Sequence, residues 1–365
     1  MTSHWSRAGI AALVAITAQV GSSAAAPDPL APLPPAVPTA QRPLPVRPAV
    51  IVPAPAPLRD RISALGRAFD GKAGVAVISL RDGWEVDWNA NSLFPQQSCS
   101  KLWVAITALE AVDRGQLSLS QTVSFDRSDL TVFHQPIAQK ILAGGYSTTL
   151  GDLMFTAITE SDNTANDKLM RSVGGPQAVR DTIGRKGLGA IRFYNGERVL
   201  QARIAGLSWN QSYSIGNAFH QARSALPMST RRASFERYLS DPYDGASPHA
   251  IASALARLKN GELLSPTSTN KLLSIMGRTR TGAMRVRAAL TPGWNWNHKT
   301  GTGQELNGRI GGINDIGLLT AADGTVYAMA IMTIPANNSS GDAQRLMRDV
   351  AKSVIDYHEQ RQTAY

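Results

Sequence analysis

The sequence predicts an α+β fold, an α/β sandwich in which one antiparallel sheet formed by both ends of the globular chain is flanked by helices and carries an inserted, mostly helical subdomain. Three observations predict it. Strand-like apolar runs stand early, at residues 73–80 and 84–89, and again late, at 293–300, 313–320 and 325–334. Between these groups, from about residue 120 to 290, the pattern is mostly helical. Hydrophobic residues make up 43% of 365, ordinary for a globular chain and too many for a disordered one.

Taken in order, residues 1–25 read as a secretory signal peptide. Arg7 supplies a positive start, an apolar run extends from Ala8 through Val20, and small residues follow from Gly21 to Ala26. Pro27 disfavours cleavage directly after Ala26, which places the cut after Ala24 or Ala25. The run is too short and alanine-rich to anchor the chain, since a bilayer needs about 20 strongly apolar residues. A secreted or periplasmic protein is expected. Residues 26–57 are rich in Pro, Ala and Val and form an extended tether that builds no core. The globular domain is expected over 58–365.

Residues 58–69 have helical spacing through Ile62, Leu65 and Phe69. The first two strands are separated by the turn Arg81-Asp82-Gly83. The strongest helix covers 101–114, with Leu102, Ala105, Ile106, Leu109 and Val112 on one apolar face and Gly115 at its end. Ala321-Ala322-Asp323-Gly324 joins the last two strands as a hairpin, and 342–357 is an amphipathic helix carrying Leu346, Val350 and Val354.

Composition then excludes several kinds of chemistry. Cys99 is the lone cysteine, so no intramolecular disulfide forms and no cysteine-rich metal site exists. The six histidines are scattered without metal-ligand spacing, so no metal or cofactor is expected. The net charge of +10 is read as solubilising surface charge with weak steering of anions. No basic stripe is interleaved with aromatics, so nucleic acid is not an expected partner.

Three short motifs carry the chemistry: Ser98-Cys99-Ser100-Lys101, Ser161-Asp162-Asn163 and Lys299-Thr300-Gly301. Each is weak alone. A second S-x-x-K runs from Ser268 to Lys271, and Ser208-Trp209-Asn210 repeats the middle pattern, but only Ser98 heads a complete ordered series. Taken separately, Ser98 would cap a helix and Lys101 would be solvated; order and context outweigh that. A serine hydroxyl needs a neighbouring base, and Lys101 lies one helical turn after Ser98. Burial and a nearby cation, supplied by Lys299, would lower its pKa. The backbone N–H groups of Ser98 and Thr302 are the expected oxyanion donors. Ser161 is placed to relay a proton to the leaving nitrogen, and Asn163 to hold a substrate amide.

With these motifs the chain resembles the class A serine β-lactamases, of the DD-peptidase/β-lactamase-like fold. The likeness runs through Phe94 to Lys101, Ser161 to Asp167, Gly261 to Pro266, Lys299 to Gly303 and Asn314-Asp315-Ile316, and covers roughly 58–360 apart from a stretch after Gln201. It implies hydrolysis of a β-lactam amide through a Ser98 acyl-enzyme, with Lys299, Thr300 and Thr302 binding substrate. It also implies a deacylating glutamate within E-x-x-L-N. Glu197-Arg198-Val199-Leu200-Gln201 stands in that register, 36 residues after Ser161. An exposed loop glutamate is the commoner fate of the residue type, but the register and Leu200 favour the catalytic reading.

The departures are specific. Gln201 replaces the family's Asn beside the hydrolytic water, and Asn195 replaces an arginine ahead of the glutamate. Residues 202–246 form an atypical insertion with a helical stretch at 235–239. Ile313 replaces an arginine before Asn-Asp-Ile, so Arg285, 14 residues before Lys299, becomes the candidate carboxylate ligand, with Arg309 in reserve. His134 falls where the family has an aromatic rim residue; a loop histidine without a role is as common. Cys99 is expected to be buried packing. A cell-wall D,D-peptidase acting on a peptidoglycan stem peptide, and a penicillin-binding protein without turnover, stay open as alternatives. The protein is expected to be a monomer.

Overall fold

A computed structural model describes residues 52–337 and 339–363. The signal peptide and most of the proline-rich tether lie outside the described residues.

The elements that position the site are α1 (Ala56–Ala68), β1 (Gly71–Ser79), β2 (Glu85–Trp88), α2 (Lys101–Asp113), α3 (Asn163–Ser172), α4 (Glu197–Ile204), α5 (Ala218–Ala225), α6 (Met228–Ser240), α7 (Pro248–Lys259), β3 (Asn295–Thr302), β4 (Ile313–Thr320), β5 (Val326–Pro335) and α8 (Ser340–Thr363). The five strands make one sheet in the order β2-β1-β5-β4-β3, with every neighbouring pair antiparallel. Both ends of the globular chain therefore build it, as the strand-like runs predict.

Strand β5 is central because it is apolar at almost every position, Thr333 being the exception, and all ten of its residues are buried. Alternate side chains face opposite sides of a strand. Tyr327, Met329 and Ile331 pack with Leu346, Val350 and Val354 of α8 and Ile62 of α1. Ala328, Ala330 and Met332 pack with Ile251 and Leu255 of α7 and with the α2 side of the core. The result is helix, sheet, helix.

The structure corrects the reading of α2. It is not amphipathic: every residue from Lys101 to Glu110 is buried, while Val112, assigned to the apolar face, is only partly so. The helices at Leu150–Thr159, Gly175–Arg185 and Pro266–Met276 surround it together with α3. A helix enclosed on all sides has no polar face to give a period. Strand β3 runs from Asn295 rather than 293, because Gly293 holds φ +89° in the turn ahead of it. The whole Lys299-Thr300-Gly301 motif consequently sits inside the strand.

Candidate active site

Ser98 lies in a tight 3₁₀ turn, Gln97–Ser100, that leads into α2. Gln97 takes the unusual φ of +53°, and its N–H donates to the Asp244 carboxylate at 2.7 Å, which secures that strained backbone. Ser98 is partly exposed while its neighbours Gln97 and Cys99 are buried, so the turn presents one hydroxyl to a cleft. The Lys101 ammonium uses its donors on Ser98 Oγ at 2.8 Å, Asn163 Oδ1 at 2.8 Å and, through a short contact, Glu197 Oε1. Neither member of that ion pair is more than 4% exposed.

The second motif enters from the start of α3. Asp162 caps the helix by accepting from Ala165 N–H, and it also accepts from Ile137 N–H, each at 2.8 Å. Its role is to set the two residues beside it, although burial holds its carboxyl above the usual range. Ser161 takes φ +63°, and its Oγ accepts from Lys299 Nζ at 2.9 Å. Asn163 is fixed by donating to Val132 O at 2.8 Å. Lys299 also donates to Thr300 O at 2.9 Å. Burial pushes its ammonium down to about 7, and the Lys101 charge pushes the same way.

Glu197 opens α4 and is buried. Its N–H donates to Asp167 Oδ1 at 2.9 Å, and that of Arg198 to Oδ2 at 3.4 Å, so an α3 carboxylate holds the N-terminus of α4. Burial first, and Glu197 next, raise Asp167 to about 6. Gly196 is required ahead of Glu197: it holds φ +85°, and a Cβ there would stand 2.7 Å from Met170. Where Asn195 replaces the family's arginine, Arg180 fastens the loop instead, donating to Asn195 Oδ1 at 3.2 Å and to Phe193 O at 3.3 Å. Gln201, one turn into α4, donates to Glu197 Oε2 at 3.1 Å.

Ser98, Ser161, Asn163, Glu197, Thr300, Thr302, Arg285 and His134 all line one cleft of about 500 Å³. Arg285 comes from the turn before β3 and is largely buried; its guanidinium donates to Asn314 O at 2.5 Å, Gly301 O at 3.1 Å and Thr302 Oγ1 at 2.6 Å. Thr300 pairs with Thr281 through their hydroxyls at 2.6 Å. His134 is exposed at the rim, its Nε2 2.8 Å from Glu160 O. Arg309 is not brought to the cleft and pairs with Glu236 of α6. The repeated motifs are structural: Ser268 donates to Asp113 at 2.5 Å, and Asn210 caps a short turn. Cys99 is wholly buried, and burial pushes its thiol up to about 12.

Sequence reasoning missed six further cleft residues: Gln304, Phe133, His220, Arg223, Thr281 and Glu305. Gln304 donates to Gln201 Oε1 at 2.9 Å, while Phe133, His220 and Arg223 extend the wall. Gln304 follows the third motif closely, which was a usable signal. His220 and Arg223 come from the insertion, where no periodicity says which side faces the cleft. The sequence also gave no sign that His298 and Asp315 would form a buried pair, 2.7 Å apart, between β3 and β4.

The family model described as "Beta-lactamase enzyme family" matches residues 57–358. The chain belongs to the beta-lactamase enzyme family. Among the enzyme's relatives, Beta-lactamase CTX-M-97 of Escherichia coli is 28% identical over 262 residues, covering 72% of this chain and 76% of that one. Extended-spectrum beta-lactamase PER-1 of Pseudomonas aeruginosa is 27% identical over 301 residues, 82% of this chain and 87% of the other. The crystal structure of a beta-lactamase from Chitinophaga pinensis superposes with a TM-score of 0.68 at 25% identity, covering 83% of this enzyme and 99% of that chain. The class A resemblance read from the motifs therefore holds over residues 57–358.

Proposed function

We propose that the enzyme hydrolyses the amide of a β-lactam through an acyl-enzyme on Ser98, released by water that Glu197 activates. Ser98 Oγ attacks the lactam carbonyl carbon, and the hydroxyl proton passes to Lys101 as the Lys101 ammonium hands a proton to Glu197, or passes through water to Glu197. The backbone N–H groups of Ser98 and Thr302 receive the oxyanion. The C–N bond then breaks, Ser161 gives its proton to the departing nitrogen, Lys299 resupplies Ser161 across their 2.9 Å contact, and the proton held by Glu197 returns to Lys299 through solvent, so that Glu197 is a free carboxylate before water attacks. Water next attacks the ester carbonyl while Glu197 takes a water proton; the C–Oγ bond breaks and Ser98 regains its hydrogen. Asn163 holds the side-chain amide of the substrate. Lys299, Thr300, Thr302 and Arg285 form its carboxylate end, with His134 at the rim.

One observation supports turnover rather than trapping: a buried carboxylate, Glu197, shares the Lys101 ammonium with Ser98. Without such a base the same serine would bind substrate covalently and hold it. We further read the enzyme as an exported monomer, with residues 1–25 removed on secretion and 26–57 acting as a tether. Among the described residues no helix is long and apolar enough to cross a membrane.

Steady-state kinetics against a penicillin, a cephalosporin and a D-Ala-D-Ala peptide test the reading. The lactams should be turned over, and Ser98→Ala should lower kcat by on the order of 10⁴ or more. Turnover of the peptide alone would instead make this a D,D-peptidase.

A further inference from the structure

A line of buried side chains runs from the inserted segment to Glu197, and the reaction scheme uses none of its outer members. Tyr238 of α6 is fully buried, and its hydroxyl donates to Asp244 Oδ1 at 2.9 Å. The same hydroxyl accepts from Gln97 Nε2 at 2.5 Å. Gln97 Oε1 in turn accepts from Gln201 Nε2 at 3.2 Å, and that nitrogen also donates to Glu197 Oε2 at 3.1 Å. Gln304 closes the far side of Gln201 by donating to its Oε1 at 2.9 Å and its backbone O at 2.8 Å.

The bonds of the line diverge from Gln201. From Gln201 each amide or hydroxyl donates outward, and the two ends of the line are carboxylates, Glu197 and Asp244. Bonds oriented head to tail polarise one another, and in a buried setting a missing link leaves an unpaired polar group. Burial, with Asp244 adding to it, holds the Tyr238 hydroxyl well above its ordinary range, so it keeps the proton it donates. The line also explains the length of residue 201. Its amide touches Glu197, Gln97 and Gln304 together, and its two N–H donors are committed to the first two.

We propose that Tyr238 is a positioning residue for deacylation: the inserted helix holds Gln97 and, through Gln201, fixes the carboxylate of Glu197 against the acyl-enzyme. The proposal rests on the Glu197 reading above. It assigns the insertion a role in orienting the general base in addition to walling the cleft.

The test follows the decay of the acyl-enzyme by quenched-flow mass spectrometry after excess β-lactam is removed, for wild type, Tyr238→Phe and Gln97→Met. Tyr238→Phe keeps the ring and removes only the hydroxyl; Gln97→Met cuts the line at its middle at equal length. Each should slow the decay about tenfold while leaving kcat/KM, which reports acylation, within about twofold. The double variant should be no slower than the worse single, and neither change should matter once Glu197→Ala has removed the base. Decay at the wild-type rate in both folded variants overturns the proposal. So does a fall in kcat/KM as large as the fall in decay rate, the mark of a merely structural role. If Tyr238→Phe does not fold, Gln97→Met alone decides by the same criteria. A wild type that forms no acyl-enzyme overturns the functional reading and this proposal together; a wild type that turns over normally while both variants match it overturns this proposal alone.

Discussion

Lys299 shows how burial sets the working range of a side chain that the substrate has to meet. An ordinary lysine titrates near 10.5, but Lys299 is pushed down to about 7 by loss of solvent, with Lys101 and Arg285 adding to the shift and Glu197 and Cys99 opposing it. A folded-state pKa below the unfolded one means that folding sheds a proton between about 7 and about 10.5, so this residue's cost to stability is full below pH 7 and relieved as pH rises through that window. For catalysis the consequence is opposite. On the proposed function, the ammonium that attracts the substrate carboxylate is lost above pH 7. KM for a β-lactam with a free carboxylate should therefore rise above pH 7 while that for its methyl ester stays flat; parallel profiles would remove Lys299 from carboxylate binding. Ser98, Lys101, Ser161, Lys299 and Glu197 were legible in the sequence because short-range spacing and register mark them. Tyr238 was not, since it meets its partner Gln97 only through folding, across 141 residues.

Strand β3 and the turn bearing Ser98 must approach within backbone contact, and Gly301 is where they do. A Cβ on Gly301 would stand 2.3 Å from Gln96 O and 3.2 Å from Cys99 Sγ. The motif's glycine is thus set by the space between two elements as much as by substrate. Gly301→Ala should destabilise the fold by about 1–3 kcal/mol in urea unfolding. Because the displaced backbone carries Ser98, kcat/KM should also fall by about 100-fold or more. Unchanged kinetics would show that the turn yields without moving the hydroxyl. The strands were placed to within two or three residues by their apolar runs, and the last pair by its turn. The error lay with α2, whose apolar positions read as one face because the sequence holds no record of the four helices that enclose it.

Across the whole molecule, the sheet takes strands from both ends of the globular chain and the site forms where the two groups meet. The third motif on β3 faces the turn from the first, and the inserted segment docks beside them. Sequence patterning showed the insertion's helical content, but its contacts depend on Phe235, Tyr238 and Leu239 finding the core, which no local period encodes. Cys99 lies at this meeting place, with its Sγ 3.6 Å from Lys299 O and no solvent exposure. A thiol raised to about 12 and sealed inside reacts only when the sheet and α2 separate. Thiol labelling under native conditions should therefore be slow, and its rate should follow the global unfolding equilibrium measured in denaturant. Rapid labelling of the native protein would mean that this region opens on its own.

On the proposed function, Glu197 releases what Ser98 captures. Intact-protein mass spectrometry of Glu197→Ala mixed with a penicillin tests it most directly. One added acyl group, on Ser98, should persist after wild type has returned to its free mass, with turnover reduced by about 10² to 10⁴. A variant that sheds the group as fast as wild type would contradict it.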